Sequence, residues 1–291
     1  IKTNEYGTAL LLDELTRVIG NIKRIVLTSS RAVYGEGRYE CSNCGIVSPG
    51  LRNPAMLKAG RWEPVCPSCH GNTSYLSAVE GQPVDPVSIY GISKYNQEQL
   101  LKQFAHTFNV PGITLRLQNV YGPGQSLGNP YTGILATFST RILSNKPISI
   151  YEDGAEKRDF VFIDDVVQSI LLALEKDFNF PYDCYNVGTG EGTTILNIAH
   201  LLASKMKSSA LINITGQFRV GDIRHAWADI SKIQDEFGFQ PRFTSADGLE
   251  RFAEWVYEQP TPVDRHQETE REMKNKGVLL QMESFRDVGR Q

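Results

Sequence analysis

Long apolar runs, an excess of charge of either sign, and cysteine are all scarce in this sequence, and each scarcity excludes something. No apolar stretch approaches the ~20 residues that a helix needs to cross a bilayer, so no membrane partner is expected. Thirty Lys and Arg stand against 33 Asp and Glu, a net charge of −3. That balance gives neither the basic footprint of a nucleic-acid partner nor a large acidic field. The opening Ile1-Lys2-Thr3-Asn4-Glu5-Tyr6 lacks the basic and apolar regions of a secretory signal, and the cytoplasm is the expected compartment. No internal repeat is visible. Methionine is missing from the first position, and the chain opens inside a helical pattern marked by Leu10, Leu11, Leu12, Leu15, Val18 and Ile19. What remains is an ordinary globular composition, 41% hydrophobic and 22% charged, long enough for one large domain or two small ones.

Four of the five cysteines form two Cys-x-x-Cys pairs, Cys41 with Cys44 and Cys66 with Cys69, with 21 residues between the pairs. This is the spacing of a zinc ribbon, slightly stretched, and four thiolates close a tetrahedral site with no position left for water. The expectation is a structural zinc rather than a catalytic one. Two disulfides or four free thiols are the alternatives, and without a secretory signal disulfides are disfavoured. His70 is read as a bystander and Cys184 as plain core. Arg52, Lys58 and Arg61 in the same segment are offset by Glu40 and Glu63, so the segment has no basic stripe for nucleic acid. It is too short to hold itself together by apolar burial alone.

Tyr90 and Lys94 stand four residues apart at the start of a helical stretch, so the phenol and the ammonium share one face. A phenol titrates near ~10, and a fixed cation beside it favours the phenolate at neutral pH. Upstream, Arg24 to Gly35 reads as a short buried strand ending in the hydroxyls Ser29 and Ser30. A strand-end serine followed by this Tyr and Lys resembles the short-chain dehydrogenase/reductase superfamily, in its extended branch acting on nucleotide sugars. The resemblance continues through Arg116-Leu117-Gln118-Asn119-Val120-Tyr121-Gly122-Pro123-Gly124, Arg158-Asp159-Phe160-Val161-Phe162-Ile163-Asp164-Asp165-Val166, Tyr185-Asn186-Val187-Gly188 and Arg219-Val220-Gly221-Asp222-Ile223-Arg224. These motifs run in family order from Asn4 to about Tyr257.

The resemblance implies an α/β fold, a doubly wound, Rossmann-like parallel sheet with a smaller carboxyl-terminal substrate region. Such sheets open with a strand, a glycine-rich turn and a helix, on the order of 90 residues in the first half. That half is missing before Asn4, so the chain is read as an amino-terminal truncation that lacks the first strands, expected to bind NAD poorly and to be inactive by itself. Residues 1–120 are then the later half of the dinucleotide-binding domain with the zinc-ribbon insert at 38–83. Residues 121–260 are mainly substrate-binding with strands returning to the sheet, and 261–291 are a polar tail expected to be loosely attached.

By the same resemblance Ser30, Tyr90 and Lys94 form the catalytic triad, and Asn4, Ser29, Tyr90 and Lys94 contact NAD. Asn119, Arg158, Arg219 and Asp222 would hold the nucleotide sugar, the arginines offering bidentate donors to its diphosphate. Gln118 to Leu127, with Asn129-Pro130-Tyr131-Thr132-Gly133 and the cysteine insert, is most similar to 4-epimerases of the dTDP-L-rhamnose type, with the UDP-hexose type as the alternative. The implied activity is NAD-dependent epimerisation at C4 through a 4-keto sugar, in a homodimer. Related 4,6-dehydratases need an Asp-Glu pair after the strand-end hydroxyl, and Arg31-Ala32 occupy those places here. A 4-keto-sugar reductase would use the same triad, and a silent binding relative is the rival from another class. Asp164 and Asp165 are read as helix caps. Gly188-Thr189-Gly190-Glu191-Gly192 is read as a strand-to-helix turn rather than a phosphate loop, because no acid follows where a ribose partner belongs.

Overall fold

The structure, a computed structural model, describes residues 1–128, 133–177, 180–260 and 262–283. The segment Asn129 to Thr132 therefore lies outside the described residues. A wide helical turn over Lys2–Tyr6 runs directly into α1 (Gly7–Thr16). Strand β1 (Ile25–Ser30) ends at Ser30, whose hydroxyl caps a short turn over Arg31–Tyr34. The cysteine insert follows as β2 (Arg38–Cys41), β3 (Gly45–Val47), α2 (Pro54–Lys58) and β4 (Thr73–Leu76), its strands forming an antiparallel sheet in the order β3-β2-β4. Helix α3 (Ile89–Phe108) starts where the Ser88 hydroxyl accepts from the Gly91 amide and ends at Asn109, which takes the left-handed conformation.

After α3 come β5 (Gly112–Leu117), β6 (Asn119–Tyr121), α4 (Ile134–Leu143), β7 (Ile148–Ile150), β8 (Lys157–Arg158), β9 (Phe160–Phe162), α5 (Ile163–Glu175) and β10 (Tyr182–Val187). The remaining elements are β11 (Thr193–Thr194), α6 (Ile195–Lys205), β12 (Ile212–Ile214), β13 (Gln217–Arg219), β14 (His225–Ala226), α7 (Ser231–Phe237), α8 (Ser245–Glu258), α9 (His266–Asn275) and β15 (Leu279–Gln281).

The central sheet is parallel with the order β1-β5-β10, and Gly112 stands opposite both Ile25 and Tyr182. Alternation along β5 sends Ile113 and Leu115 into a core with Val166 and Ala173 of α5 and Ile233 and Phe237 of α7. Arg116, the next residue along the strand, points the other way, to Glu98 of α3. Helices thus cover both faces, as expected of a doubly wound sheet. A second core gathers Tyr121, Phe138, Phe160 and Phe162 with Ile198 and Leu202 of α6 and Leu249, Phe252 and Val256 of α8. Helix α8 buries Leu249, Phe252, Ala253 and Val256 along one face. Among the described residues no helix is long and apolar enough to cross a membrane.

Two expectations need correction. Asp165 does not cap its own helix: its buried carboxylate accepts from the amides of Arg242 and Phe243 and pins the approach to α8. The tail is not loose over its described part. Asp264 is clamped by Lys146 at 2.7 Å and Arg141 at 3.4 Å, β15 pairs antiparallel with β13, and Leu279 is buried. Its attachment runs through ion pairs and one short strand, so it carries no apolar period to be read.

Candidate active site

Two contacts bring the catalytic candidates to one place. Lys94 donates from Nζ to the Thr28 carbonyl at 2.7 Å, tying α3 to β1 two residues before Ser30. Gly91, the neighbour of Tyr90, lies so close to the turn after Ser30 that a Cβ there would sit 2.6 Å from the Ala32 carbonyl oxygen. Glycine permits the close approach of helix start and strand end, a need that the resemblance alone did not reveal. Tyr90 remains more than half exposed, at 53%. Lys94 is half-buried, and that desolvation lowers its ammonium pKa while Glu98 one turn on opposes the shift. The Ser30 hydroxyl accepts from the Ala32 amide at 3.2 Å, so its own hydrogen is left to donate. Asn4 donates to Ser93 Oγ at 3.0 Å, which holds it beside the start of α3.

Ser29, expected on the cofactor, is placed otherwise. It is 3% exposed and donates to Glu98 Oε1 at 2.5 Å. Glu98 also takes Arg116 at 2.7 Å, and Arg116 donates to the Tyr34 hydroxyl at 3.0 Å, which itself donates to Asn186. This closed buried cluster locks β1, α3 and β5 together close to Ser30 and Lys94. Its members were invisible as a group in the sequence because they come from four separate segments.

The four candidate substrate residues, Asn119, Arg158, Arg219 and Asp222, all line one cavity of about 400 Å³. Arg158 donates to the carbonyls of Lys157, Ile223 and Arg224, which fixes its guanidinium while leaving Nε and one Nη2 hydrogen unspent. Arg219 pairs with Asp222 at 2.8 Å and lies over the Tyr151 ring at 5.7 Å. Asn119 Oδ1 and Glu156 Oε2 are buried without a hydrogen-bond partner among the described residues, and both residues face this cavity. Burial, reinforced by Glu152, pushes the Glu156 carboxyl up to about 7. Sequence reasoning missed Arg31, Tyr151 and Glu156, and also Arg265, His266, Thr269 and Met273 of the tail, which form a wall of the same cavity.

The Gly188 turn is not a phosphate site. Its amide donors at Thr189 and Gly190 point at the buried Asp159 carboxylate, at 2.8 Å and 3.1 Å. In the insert, the Sγ atoms of Cys41, Cys44, Cys66 and Cys69 all lie within 4.8 Å of one another. Gly45 and His70, each just after the second cysteine of a pair, take the left-handed conformation that turns a Cys-x-x-Cys knuckle. Amides of Cys69 and Ser68 aimed at Cys66 lower that thiol to about 6.

The insert is tied to the cavity from behind. Arg52 forms a two-point pair with Glu152, at 2.6 Å and 2.8 Å, and also donates to the Asp222 carbonyl at 2.9 Å. Trp62 packs edge-on against Phe218 of β13, with ring centroids 6.0 Å apart. The loop that carries Arg219 and Asp222 is therefore held at both ends by the cysteine insert.

Residues 66–188 match the family described as NAD dependent epimerase/dehydratase. The dTDP-L-rhamnose 4-epimerase of Burkholderia thailandensis is 38% identical over 253 residues, which is 87% of this chain and 68% of that protein. Among solved structures, the UDP-N-acetylglucosamine 4-epimerase of Methanobrevibacter ruminantium M1 in complex with UDP-N-acetylmuramic acid superposes with a TM-score of 0.69 at 26% identity, over 89% of this chain and 70% of that one. The UDP-glucuronic acid 4-epimerase of Bacillus cereus, in complex with UDP-glucuronic acid and NAD, gives a TM-score of 0.67 at 25% identity, over 88% and 68%.

Proposed function

Since the chain belongs to the NAD-dependent epimerase/dehydratase family, we propose that its protein inverts C4 of a nucleotide sugar, of the dTDP-L-rhamnose type first and the UDP-hexose type as the alternative. The observation that carries this reading is the convergence of Asn119, Arg158, Arg219 and Asp222 on one cavity that also reaches Arg31, the residue after Ser30. A diphosphate suits the rigidly held Arg158, and the buried, unpartnered Asn119 oxygen suits a ligand donor.

The residues around the start of α3 fit a dinucleotide. Lys94 spends one of its three ammonium hydrogens on Thr28 and keeps two for ribose hydroxyls, and Asn4 sits on the same helix end. NAD, when bound there, supplies the hydride acceptor and donor for C4. Tyr90 takes the proton of the 4-hydroxyl at Oη and later returns it, and Ser30 donates to the same sugar oxygen. No acid stands at positions 31 and 32 to drive elimination across the ring, which supports epimerisation over dehydration. The four clustered thiols fit a structural zinc, which would staple the insert behind the substrate loop.

The test is isotopic. The protein that carries this chain, given the nucleotide sugar and NAD in deuterated water, is expected to form product without deuterium at carbon and without consuming NADH. Tyr90→Phe is expected to lower turnover by about 10²-fold or more with dTDP binding within a few-fold of wild type. Deuterium at carbon, or stoichiometric oxidation of added NADH, overturns the epimerase reading.

A further inference from the structure

Among the described residues the four buried arginines each pair with a carboxylate, and the two half-buried arginines of the cavity, Arg31 and Arg158, do not. Arg52 pairs with Glu152 at 2.6 Å, Arg116 with Glu98 at 2.7 Å, Arg224 with Glu63 at 2.7 Å and Asp153 at 2.8 Å, and Arg141 with Asp264 at 3.4 Å. Arg158 has carbonyl partners only. Arg31, half-buried and lining the same cavity, has neither a carboxylate nor a hydrogen-bond partner among the described residues. Two guanidinium groups that share one cavity, neither of them in a direct ion pair among the described residues although Asp222 and Glu156 line the same cavity, form a site for an anion. Arg31 follows Ser30 directly, so it stands at the reacting end of the cavity.

We propose that Arg31 is a third cationic ligand of the diphosphate, acting together with Arg158 and binding the phosphate nearer the sugar. This rests on the nucleotide-sugar reading and deepens it, because neither composition nor motif order assigned Arg31 a positive role. The cost of holding the site empty is visible in the protein. Burial and the like charge of Arg158 lower the Arg31 guanidinium to about 10, and Tyr75, Asp222 and Glu36 oppose that shift only in part. A cation kept at such a disadvantage in the free protein is relieved when an anion arrives.

The two roles that Arg31 could have predict opposite signs. A structural arginine loses stability when removed, whereas a desolvated, unpartnered one leaves the free protein as stable or more so. The experiment is calorimetric titration of the chain and its Arg31→Met, Arg31→Lys and Arg158→Met variants with dTDP and dTMP, with thermal midpoints of the free proteins. Arg31→Met is expected to bind dTDP about 10- to 30-fold more weakly, to bind dTMP within about 2-fold of wild type, and to melt at or above the wild-type midpoint. Arg31→Lys, which keeps the charge, is expected to recover part of the loss. Wild-type dTDP affinity in Arg31→Met, with Arg158→Met weakened, overturns the role of Arg31 alone. An equal loss for dTMP overturns the assignment to the phosphate nearer the sugar, and a lowered midpoint overturns the ligand role in favour of a structural one. A wild-type chain that binds neither dTDP nor UDP overturns the diphosphate reading and this proposal with it.

Discussion

The polar cluster behind the substrate loop and the polar lining of the cavity are built from the same residue types, yet one is closed and the other open. Behind the loop, Arg52, Arg224, Glu152, Asp153 and Glu63 satisfy one another at 2.6 to 2.9 Å. In the cavity, among the described residues, Arg31 has no hydrogen-bond or ion-pair partner, Arg158 keeps donors in reserve, and Asn119 and Glu156 each present a buried oxygen without a hydrogen bond. Closed clusters resist change because removing one member strands the rest. Open ones are the places where a ligand supplies the missing member. The five paired residues and the cavity lining thus differ in hydrogen-bond satisfaction, with Glu36 at the edge of the cluster as the exception, its Oε2 lying 3.8 Å from Arg52 without a hydrogen bond.

This distinction can be broken or sharpened by experiment, and the largest effect is expected at the cysteines. A Cys41→Ser, Cys66→Ser variant should lose about one zinc per chain and about 5 kcal/mol or more of stability, since the insert has little apolar core of its own. Metal analysis and urea denaturation check this, and unchanged zinc content removes the metal from the account. Next in size, Arg116→Met leaves Glu98 buried and unmatched, and denaturation should show a loss of about 3–5 kcal/mol. A loss below about 1 kcal/mol would mean that the closed cluster is no frame.

The smallest effect has the opposite sign. Glu156 faces Glu152, Arg158 and Arg224, and its carboxyl is raised to about 7 in the folded chain, above the unfolded value near ~4.3. Between those two values the folded state binds the extra proton, so its contribution to stability falls as pH rises from about 4.3 to 7. Glu156→Gln should match wild type below that window and exceed it by about 1–3 kcal/mol above it. Parallel stability curves across the window would show that Glu156 is not an open group.

The sequence made some of this legible and hid the rest for physical reasons. Tyr90 with Lys94, the four thiols and the strand end at Ser30 are local patterns, and local spacing survives in a string of letters. Ser29 and Glu98 meet across 69 residues, and Asp165 meets Arg242 across 77. No periodicity encodes such pairs. The tail read as loose because it is polar and dense in charge, with no clear apolar face before Val278, while its hold comes from Asp264 and the β13–β15 pair. Arg31 was noticed for the acid it replaces, and its own charge gained meaning only from the neighbours that it lacks.

The central claim is that the open lining is the ligand site and the closed cluster its frame, and hydrogen–deuterium exchange with and without saturating dTDP tests it most directly. Added protection is predicted in the peptides that contain Arg31, Asn119, Glu156 to Arg158, Arg219 to Ile223 and Arg265 to Met273, each of which supplies residues to the cavity lining. Exchange in β2 and β4 of the insert is predicted to stay as it was. Protection confined to the insert, or spread evenly over the chain, would contradict the account.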